Sequence, residues 1–307
     1  MKIPLVIAFT PNYIVPAAVT LRSIVDSTSD SETGYEVICL VTEEIPDRQK
    51  AMLSQMFGER MSFRYLPLAG TLDGHYVDPR YSEAASYRLM LPDLLPDTDR
   101  IIYIDCDIIV RQDLSELYRS IDLGDNLLAA IYEAPIEKQS ERWAAIGCDP
   151  KHYFNSGFLV MNLRQMRKEG TSAKLLEALK VDYLEFPDQD ALNQVCQGRA
   201  LPLSPVYNSI RTFFIPHYRG DFEAQYSAEL WQQVQKEGNI HYTGGKPWRI
   251  HSVRFADWWK VYDTISDELK AEWNPSKKIR TLAALYRTRV GRFMMEMARN
   301  TVRLIKK

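Results

Sequence analysis

The sequence predicts an α/β fold with a mainly parallel central sheet. Short β-branched and aromatic runs alternate with amphipathic stretches through the N-terminal third, which is typical of a doubly wound sheet. The 307 residues are 46% hydrophobic and 25% charged, as in a soluble globular protein, and no apolar run is long enough to span a membrane. We expect one α/β domain over residues 1–260 and a basic helical extension over residues 261–307.

Three strand–helix units open the chain. Strands are predicted at 2–9, 36–41 and 61–66, and helices at 14–24 and 47–57. In such sheets the ligand site lies beyond the carboxyl ends of the strands. Neither the GxGxxG dinucleotide fingerprint nor the GxxxxGK[ST] phosphate loop occurs in the sequence. The later predicted elements are a helix at 84–95, strands at 126–131 and 153–163, a helix at 163–180, a strand at 199–203 and an irregular segment at 204–226.

Two aspartates interrupt the most apolar strand. Residues 100–110 read RIIYIDCDIIV, with Asp105 and Asp107 at alternate positions and therefore on one face of an extended chain. A buried carboxylate is costly unless it is paired or bound to a metal. Carboxylate oxygens suit Mn²⁺ or Mg²⁺, which commonly hold substrate phosphates as well. The alternative is a pair of surface aspartates where a strand ends.

Residues 240–248, IHYTGGKPW, form a second polar cluster. Glycines at 244 and 245 let the backbone approach a ligand closely, and Lys246 can meet a phosphate as a point charge. A structural histidine and an ordinary Gly-Gly turn are the alternatives. Taken with the aspartates, His241 and Lys246 indicate a site for a metal and a diphosphate.

Three further groups of polar residues have two interpretations each. Arg88 is either a solvated surface charge or a residue buried against an anion. The turn at Asn155 and Ser156 either contacts a ligand or is an ordinary turn, for which Asn and Gly are common. Asp188 could cap a helix behind a proline, which would leave Gln189 and its neighbours unexplained.

In their order along the chain, these motifs resemble retaining glycosyltransferase family 8, the group of glycogenin and the bacterial lipopolysaccharide galactosyl- and glucosyltransferases. The likeness covers about residues 3–250. The motifs are AFTPNY at 8–13, YRL at 87–89, YIDCD at 103–107, FNSG at 154–157, DQDALN at 188–193 and HYTGGKPW at 241–248. The resemblance implies a GT-A fold, a Rossmann-like nucleotide-diphospho-sugar transferase fold. It also implies transfer of a hexose, galactose or glucose, from a UDP-sugar with retention, giving an α-linkage and requiring Mn²⁺, with Mg²⁺ as a substitute.

The resemblance also implies roles for individual residues. The metal would be held by Asp105, Asp107 and His241, and the diphosphate by Gly244 and Lys246. The nucleotide would be lined by Ala8, Thr10, Asn12, Tyr13 and Cys106, and the donor sugar would be met by Arg88, Asn155, Ser156, Asp188 and Gln189. The last two are the catalytic candidates, with Asp188 on the donor hydroxyls and Gln189 near the anomeric carbon. Thr10 departs from the galactosyltransferase branch, which carries aspartate there, so the uracil contact differs. The acceptor is not transferred from any one relative, since residues 131–133 differ as well.

Retention has two possible routes. A double displacement needs a nucleophile, and Gln189 is a poor one because an amide oxygen is weakly basic. Asp188 and Asp190 are chemically better, but the sequence does not place them relative to the sugar. We favour front-face substitution, in which the leaving phosphate oxygen helps to deprotonate the acceptor.

Two other classes of protein compete with this interpretation. A haloacid-dehalogenase-like phosphatase also carries a DxD strand, but near the start of its domain, whereas three α/β units precede Asp105 here. A non-catalytic nucleotide-sugar-binding protein would have no need of the full metal and diphosphate set.

The C-terminal segment is strongly basic. Residues 277–307 contain ten Lys or Arg and one acidic residue, a charge of +9, so the remainder carries −11 of the total of −2. Apolar residues recur there at helical spacing from Leu282 to Ile305, which favours binding to an anionic membrane surface over nucleic acid or intramolecular packing. Scattered cysteines and no signal peptide favour the cytoplasm. We therefore expect a cytoplasmic protein on the inner membrane face, acting on a saccharide or lipid-linked saccharide such as lipopolysaccharide.

Overall fold

In the computed structural model, the residues described are 2–76, 78, 82–181, 183–291 and 293. The strands are β1 (Ile3–Phe9), β2 (Tyr35–Val41), β3 (Met61–Pro67), β4 (Arg100–Asp105), β5 (Ile108–Ile109), β6 (Leu128–Tyr132), β7 (Phe154–Asn162), β8 (Ala200–Pro202) and β9 (Ile240–His241). The α-helices are α1 (Ile14–Ser27), α2 (Asp47–Phe57), α3 (Leu91–Leu94), α4 (Leu114–Ser120), α5 (Glu137–Ala145), α6 (Leu163–Lys168), α7 (Thr171–Ala178), α8 (Pro187–Cys196), α9 (Arg219–Gln225), α10 (Ala228–Glu237), α11 (Phe255–Tyr262), α12 (Asp267–Ala271) and α13 (Lys277–Arg287). Short 3₁₀ helices occupy Pro11–Tyr13, Gly58–Arg60, Glu83–Met90, Pro205–Tyr207, Arg211–Phe214 and Pro216–Tyr218.

The described strands form a seven-stranded sheet in the order β3-β2-β1-β4-β7-β6-β8, with β5 and β9 pairing separately. Strands β3, β2, β1 and β4 run parallel to one another, and β7 runs antiparallel to both β4 and β6. The predicted α/β class and mainly parallel sheet are confirmed. The carboxyl ends of β1 and β4 lie side by side, with Ala8 opposite Asp105.

Successive side chains of the central strands pack into two hydrophobic cores, one on each face of the sheet. In β1, Leu5 and Ile7 belong to one core cluster and Val6 to the other. Helices α1 and α11 cover the first face, whereas α6, α7 and α8 cover the second. Burial on both faces explains why these strands are continuous apolar runs without polar alternation.

Two predicted helices differ from those observed. The helix expected at 84–95 is a 3₁₀ helix to Met90 followed by the short α3, because Pro92 has no N–H to continue a ladder. The helix expected at 163–180 is divided into α6 and α7. The break falls at Gly170, whose φ of 62° lies in the left-handed region that favours glycine.

The segment after residue 260 continues the same core as far as it is described. Ile265 and Leu269 of the α12 region and Ile279 and Ala283 of α13 are buried in the cluster that contains the first sheet face. The remainder of the expected basic helix, residues 294–307, lies outside the described residues. Within the described residues, no helix combines the length and apolarity needed to cross a bilayer.

Candidate active site

A cavity of about 1010 Å³ opens at the carboxyl ends of β1 and β4. The structure brings every residue predicted for the donor site to its wall. These residues are Ala8, Thr10, Asn12, Tyr13, Arg88, Asp105, Cys106, Asp107, Asn155, Ser156, Asp188, Gln189, His241, Gly244 and Lys246. The motifs thus converge in space although they span most of the chain.

The two aspartates lie where β4 ends and a turn begins. Strand β4 ends at Asp105, and the chain resumes as β5, which pairs antiparallel with β9 so that Ile108 lies opposite His241. The predicted single strand over 100–110 is therefore interrupted at Cys106 and Asp107. The pairing of β5 with β9 therefore places His241 beside Asp105 and Asp107.

Asp105, Asp107 and His241 form a cluster that fits a divalent cation. One ligand atom from each lies within 4.8 Å of the others. The His241 Nε2 is 3.3 Å from an Asp107 oxygen and 3.7 Å from an Asp105 oxygen. A Cβ at Gly157 would lie 2.3 Å from the His241 ring and 2.7 Å from an Asp105 oxygen, so the absence of a side chain at that position keeps the space beside these two ligands open. Two carboxylates and an imidazole nitrogen are ligands that Mn²⁺ and related ions accept.

Lys246 adds positive charge directly at this cluster. Its Nζ donates to an Asp107 oxygen and, at 3.0 Å, to the carbonyl of Tyr242. Burial by itself would raise the pKa of Asp107, but Lys246 and His241 outweigh it and hold that pKa well below the usual range. Asp107 is therefore ionised at neutral pH.

Arg88 is buried, which resolves its two interpretations in favour of an anionic partner. Its side chain is 3% exposed and contacts Asp105 at 2.9 Å and Asp188 at 3.3 Å. It also donates to the carbonyl of Ser156 at 2.6 Å, and its guanidinium lies 4.2 Å from the Tyr103 ring centre. Because five N–H donors radiate from one plane, a single arginine can fix both carboxylates and the turn.

The helix α8 presents Asp188 and Gln189 to the cavity and turns Asp190 away from it. The helix begins at Pro187 with Phe186 at the cap position, so the interpretation of Asp188 as an N-cap is wrong. Proline is favoured at the first helical position since its missing N–H would be unpaired there. The Asp188 carboxylate instead accepts from the Ser156 hydroxyl at 3.0 Å.

Asp190 is fully buried and its oxygens are occupied. It pairs with Arg142 of α5 at 2.9 Å and accepts a hydrogen bond from the Tyr153 hydroxyl. The Phe186 N–H donates to it at 3.1 Å. An aspartate held in this way anchors α5 against α8 and has no free oxygen directed at a substrate.

Gln189 is held by four polar neighbours. Its Oε1 accepts from Asn155 Nδ2 and from the Ser156 N–H, both at 3.0 Å. Its Nε2 donates to Glu133 and to the Tyr153 hydroxyl, both at 3.2 Å. Burial raises the pKa of Glu133, although the amide donors of Asn155 and Gln189 counteract the rise.

Tyr13 lines the cavity and is backed by a second aromatic ring. Tyr13 lies edge-on to Trp248 with ring centres 5.8 Å apart, and the Arg249 guanidinium lies 5.9 Å from the Tyr13 ring. The Thr10 hydroxyl is directed to the Asn12 side-chain oxygen. A tyrosine ring beside the small polar groups of Thr10 and Asn12 suits a planar base.

Sequence reasoning missed Asn208, Tyr103 and Arg142. The Tyr103 hydroxyl donates to Asp105 at 3.0 Å, and Asn208 contacts the His241 ring at 2.9 Å. Tyr103 lies two positions from Asp105 and could have been found as a residue on the same strand face. Asn208 and Arg142 carry no local signal, because their partners lie far away along the chain.

The fold and this acid-lined cavity are those of a GT-A glycosyltransferase. The sequence model described as glycosyl transferase family 8 matches residues 4–251, and the chain belongs to this family. This membership rules against the phosphatase alternative.

Two named relatives are similar to this chain in sequence, and one solved structure is similar to it in fold. General stress protein A of Bacillus subtilis is 28% identical over 216 residues, covering 67% of this chain and 74% of the relative. Lipopolysaccharide 1,2-glucosyltransferase of Escherichia coli K12 is 30% identical over 194 residues, covering 60% of this chain and 52% of the relative. The chain thus spans about half the length of that glucosyltransferase. The galactosyltransferase LgtC, solved with donor and acceptor sugar analogs, superposes with a TM-score of 0.70 at 24% identity, covering 88% of this chain and all of that one.

Proposed function

We propose that this chain is a retaining hexosyltransferase that moves galactose or glucose from a UDP-sugar to a saccharide acceptor, forming an α-linkage. The observation that carries the proposal is the meeting of Asp105, Asp107 and His241 with Lys246 in one cavity, beside a polar wall formed by Asp188 and Gln189. A cation site next to a lysine suits a diphosphate, and neighbouring carboxylate and amide groups suit sugar hydroxyls.

We infer that the cation is Mn²⁺, with Mg²⁺ as a substitute, held by Asp105, Asp107 and His241. When bound, it supplies Lewis-acid neutralisation of the charge that develops on the departing diphosphate. Lys246 supplies a second positive charge from the protein itself. Asp107 and His241 are buried, and charges interact more strongly at buried positions than in bulk water.

The residues facing the sugar support front-face substitution. Double displacement requires a carboxylate nucleophile, and Asp190 is committed to Arg142 and Tyr153. Asp188 is held by Arg88 and Ser156, which suits positioning of a hydroxyl better than attack. Gln189 has both amide ends engaged, so it would present a fixed dipole to a bound sugar.

The proposed donor chemistry is tested by a panel of UDP-hexoses, assayed for Mn²⁺-dependent release of UDP. We expect one or two UDP-hexoses to be hydrolysed by the wild type, and none by Asp107→Asn. Asp113→Asn is a matched control, because Asp113 caps α4 outside the cavity. Burial raises the pKa of Asp113, but hydrogen bonds from Ser29 and Ser115 outweigh it and lower that pKa to about 2. Binding of UDP-hexose without any turnover would favour the non-catalytic sugar-binding alternative. Full activity of Asp107→Asn would refute the site.

The proposed acceptor is a cell-surface glycan such as lipopolysaccharide, reached at the cytoplasmic face of the membrane. The named glucosyltransferase relatives support this acceptor class. The start of the basic tail supports a membrane location, since Leu285, Val290 and Phe293 are 44%, 70% and 64% exposed among neighbouring cations. An exposed apolar and basic surface of this kind binds anionic lipid.

The membrane proposal is tested by truncation after Arg287. This cut retains Ile279 and Ala283, which are buried in the core, and removes exposed Val290 and Phe293 together with the last basic residues. We expect that the truncated protein no longer sediments with phosphatidylserine vesicles but still hydrolyses UDP-hexose. Undiminished binding of the truncated protein to these vesicles would contradict the proposal.

A further inference from the structure

Asn208 contacts both His241 of the Asp105–Asp107–His241 cluster and the turn at Asn155. It is 0% exposed and follows the 3₁₀ helix Pro205–Tyr207. The next residue fixes it to the strand that bears the histidine, because the His241 N–H donates to the Ser209 carbonyl at 3.0 Å. The Asn208 backbone therefore has a set position relative to His241.

The hydrogen bonds around Asn208 leave one orientation for its amide. Asn155 Oδ1 accepts from the Gly157 backbone N–H at 3.1 Å, so this atom is an oxygen. The Asn208 atom that lies 2.9 Å from it must then be the donating Nδ2. The other end of the Asn208 amide, which faces His241 Nδ1 at 2.9 Å, is consequently the oxygen.

An amide oxygen at that point determines the proton position on the imidazole. Because Asn208 Oδ1 can only accept, His241 Nδ1 carries the hydrogen in the neutral ring. Nε2 is then unprotonated, and this is the nitrogen directed at Asp105 and Asp107. The hydrogen bonds that start at the Gly157 N–H and pass through Asn155 and Asn208 thus leave the lone pair of His241 Nε2 directed at the two aspartates.

We propose that Asn208 is a positioning residue that fixes the His241 tautomer for cation binding and couples it to the Asn155 turn. This inference deepens the proposed donor site and rests on a cation bound there. Partners of this kind orient metal-binding histidines, and their loss typically weakens metal affinity by about 10–100-fold. Through Asn155, the same amide is linked to Gln189 and Glu133, so one residue supports both halves of the site.

The test measures Mn²⁺ binding alone, without nucleotide, by electron paramagnetic resonance of the free ion. We expect Asn208→Ala to weaken Mn²⁺ affinity by about 10–100-fold. Asn208→Asp keeps an acceptor for the Nδ1 hydrogen, and we expect it to restore affinity to within a few-fold of wild type while turnover remains reduced, because the donor to Asn155 is lost.

Asn239→Ala is the matched control for loss of a buried asparagine. Asn239 is also 0% exposed, and it accepts from the Arg111 N–H at 2.7 Å and donates to the Tyr207 carbonyl at 2.9 Å. We expect this variant to lose stability but to bind Mn²⁺ like the wild type. Equal affinity in Asn208→Ala and wild type, or equal weakening in both alanine variants, overturns the inference.

A measurement on the wild type covers the case in which Asn208→Ala does not fold. Nitrogen-15 NMR of the metal-free protein is expected to show the neutral His241 ring protonated at Nδ1, and a neutral ring protonated at Nε2 overturns the inference. Wild-type protein that binds no Mn²⁺ contradicts the proposed cation and this inference together. Mn²⁺ binding that is equally tight in the wild type and in Asn208→Ala contradicts this inference alone.

Discussion

Adding one methyl group at Gly157 should disable the site without altering its chemistry. A Cβ built there lies 2.3 Å from the His241 Cε1 and 2.7 Å from the Asp105 Oδ2. Carbon atoms in contact are normally about 3.5–4.0 Å apart, so at least one of these ligands must move by roughly 1 Å. Displacements of that size can reduce turnover by about 100-fold, and overpacking costs about 1–3 kcal/mol of stability.

The assay for Gly157→Ala combines Mn²⁺ affinity, UDP-hexose hydrolysis and denaturant unfolding. We expect weakened Mn²⁺ binding and a roughly 100-fold loss of turnover, with a stability loss of about 1–3 kcal/mol. Gly220→Ala is the matched control, because a Cβ there meets no atom within 4 Å and the residue lies in α9. Wild-type Mn²⁺ affinity in Gly157→Ala would refute the argument that this glycine keeps the cluster open.

Two further predictions concern buried charge. Arg88→Met should lower the free energy of unfolding by about 3–5 kcal/mol, since it leaves Asp105 and Asp188 without their cation, and Arg88→Lys should recover only part of that loss. Urea unfolding of both variants checks this, and wild-type stability of Arg88→Met would contradict it. The pKa of Glu133 is raised above its usual 4.5, so the stability gained from its protonated form is complete below that pH and is lost as pH rises through the folded pKa. Glu133→Gln cannot ionise; its stability relative to wild type should therefore increase from pH 4 to pH 8, and a pH-independent difference in metal-free buffer would disprove the assignment.

The sheet could be predicted from the sequence because its strands are locally distinctive. Residues 3–9 and 37–41 are continuous apolar runs, and both lie in strands whose bounds fall within one residue of those predicted. Helix boundaries were harder to predict. Pro92 and Gly170 each divide a segment whose apolar periodicity continues past the break. Periodicity reports which face is buried, whereas the hydrogen-bond ladder decides where a helix ends.

The residues that line the cavity could be predicted from the sequence, but the hydrogen bonds and ion pairs between them could not. Asp105 and Asp107 stand out as acids within an apolar strand, so their pattern points to a ligand. Asn208 is an ordinary polar residue in an irregular segment, and its importance comes from contacts with His241 and Asn155, 33 and 53 positions away. The burial of Arg88 was equally open, since a single helical arginine carries no signal of the carboxylates that will surround it.

The short pairing of β5 with β9 has a consequence for how the protein is made. Lys246 lies 139 positions after Asp107, so a ribosome adding about 5–20 residues per second needs roughly 7–28 seconds to pass from one to the other. During that interval β1 to β4 are already available to associate, whereas the histidine and lysine do not yet exist. Cation capture by all three residues therefore cannot guide any pairing of β1 to β4 that forms in this interval. The ability to bind a cation with all three residues is gained late and marks a chain that has closed its longest-range pairing.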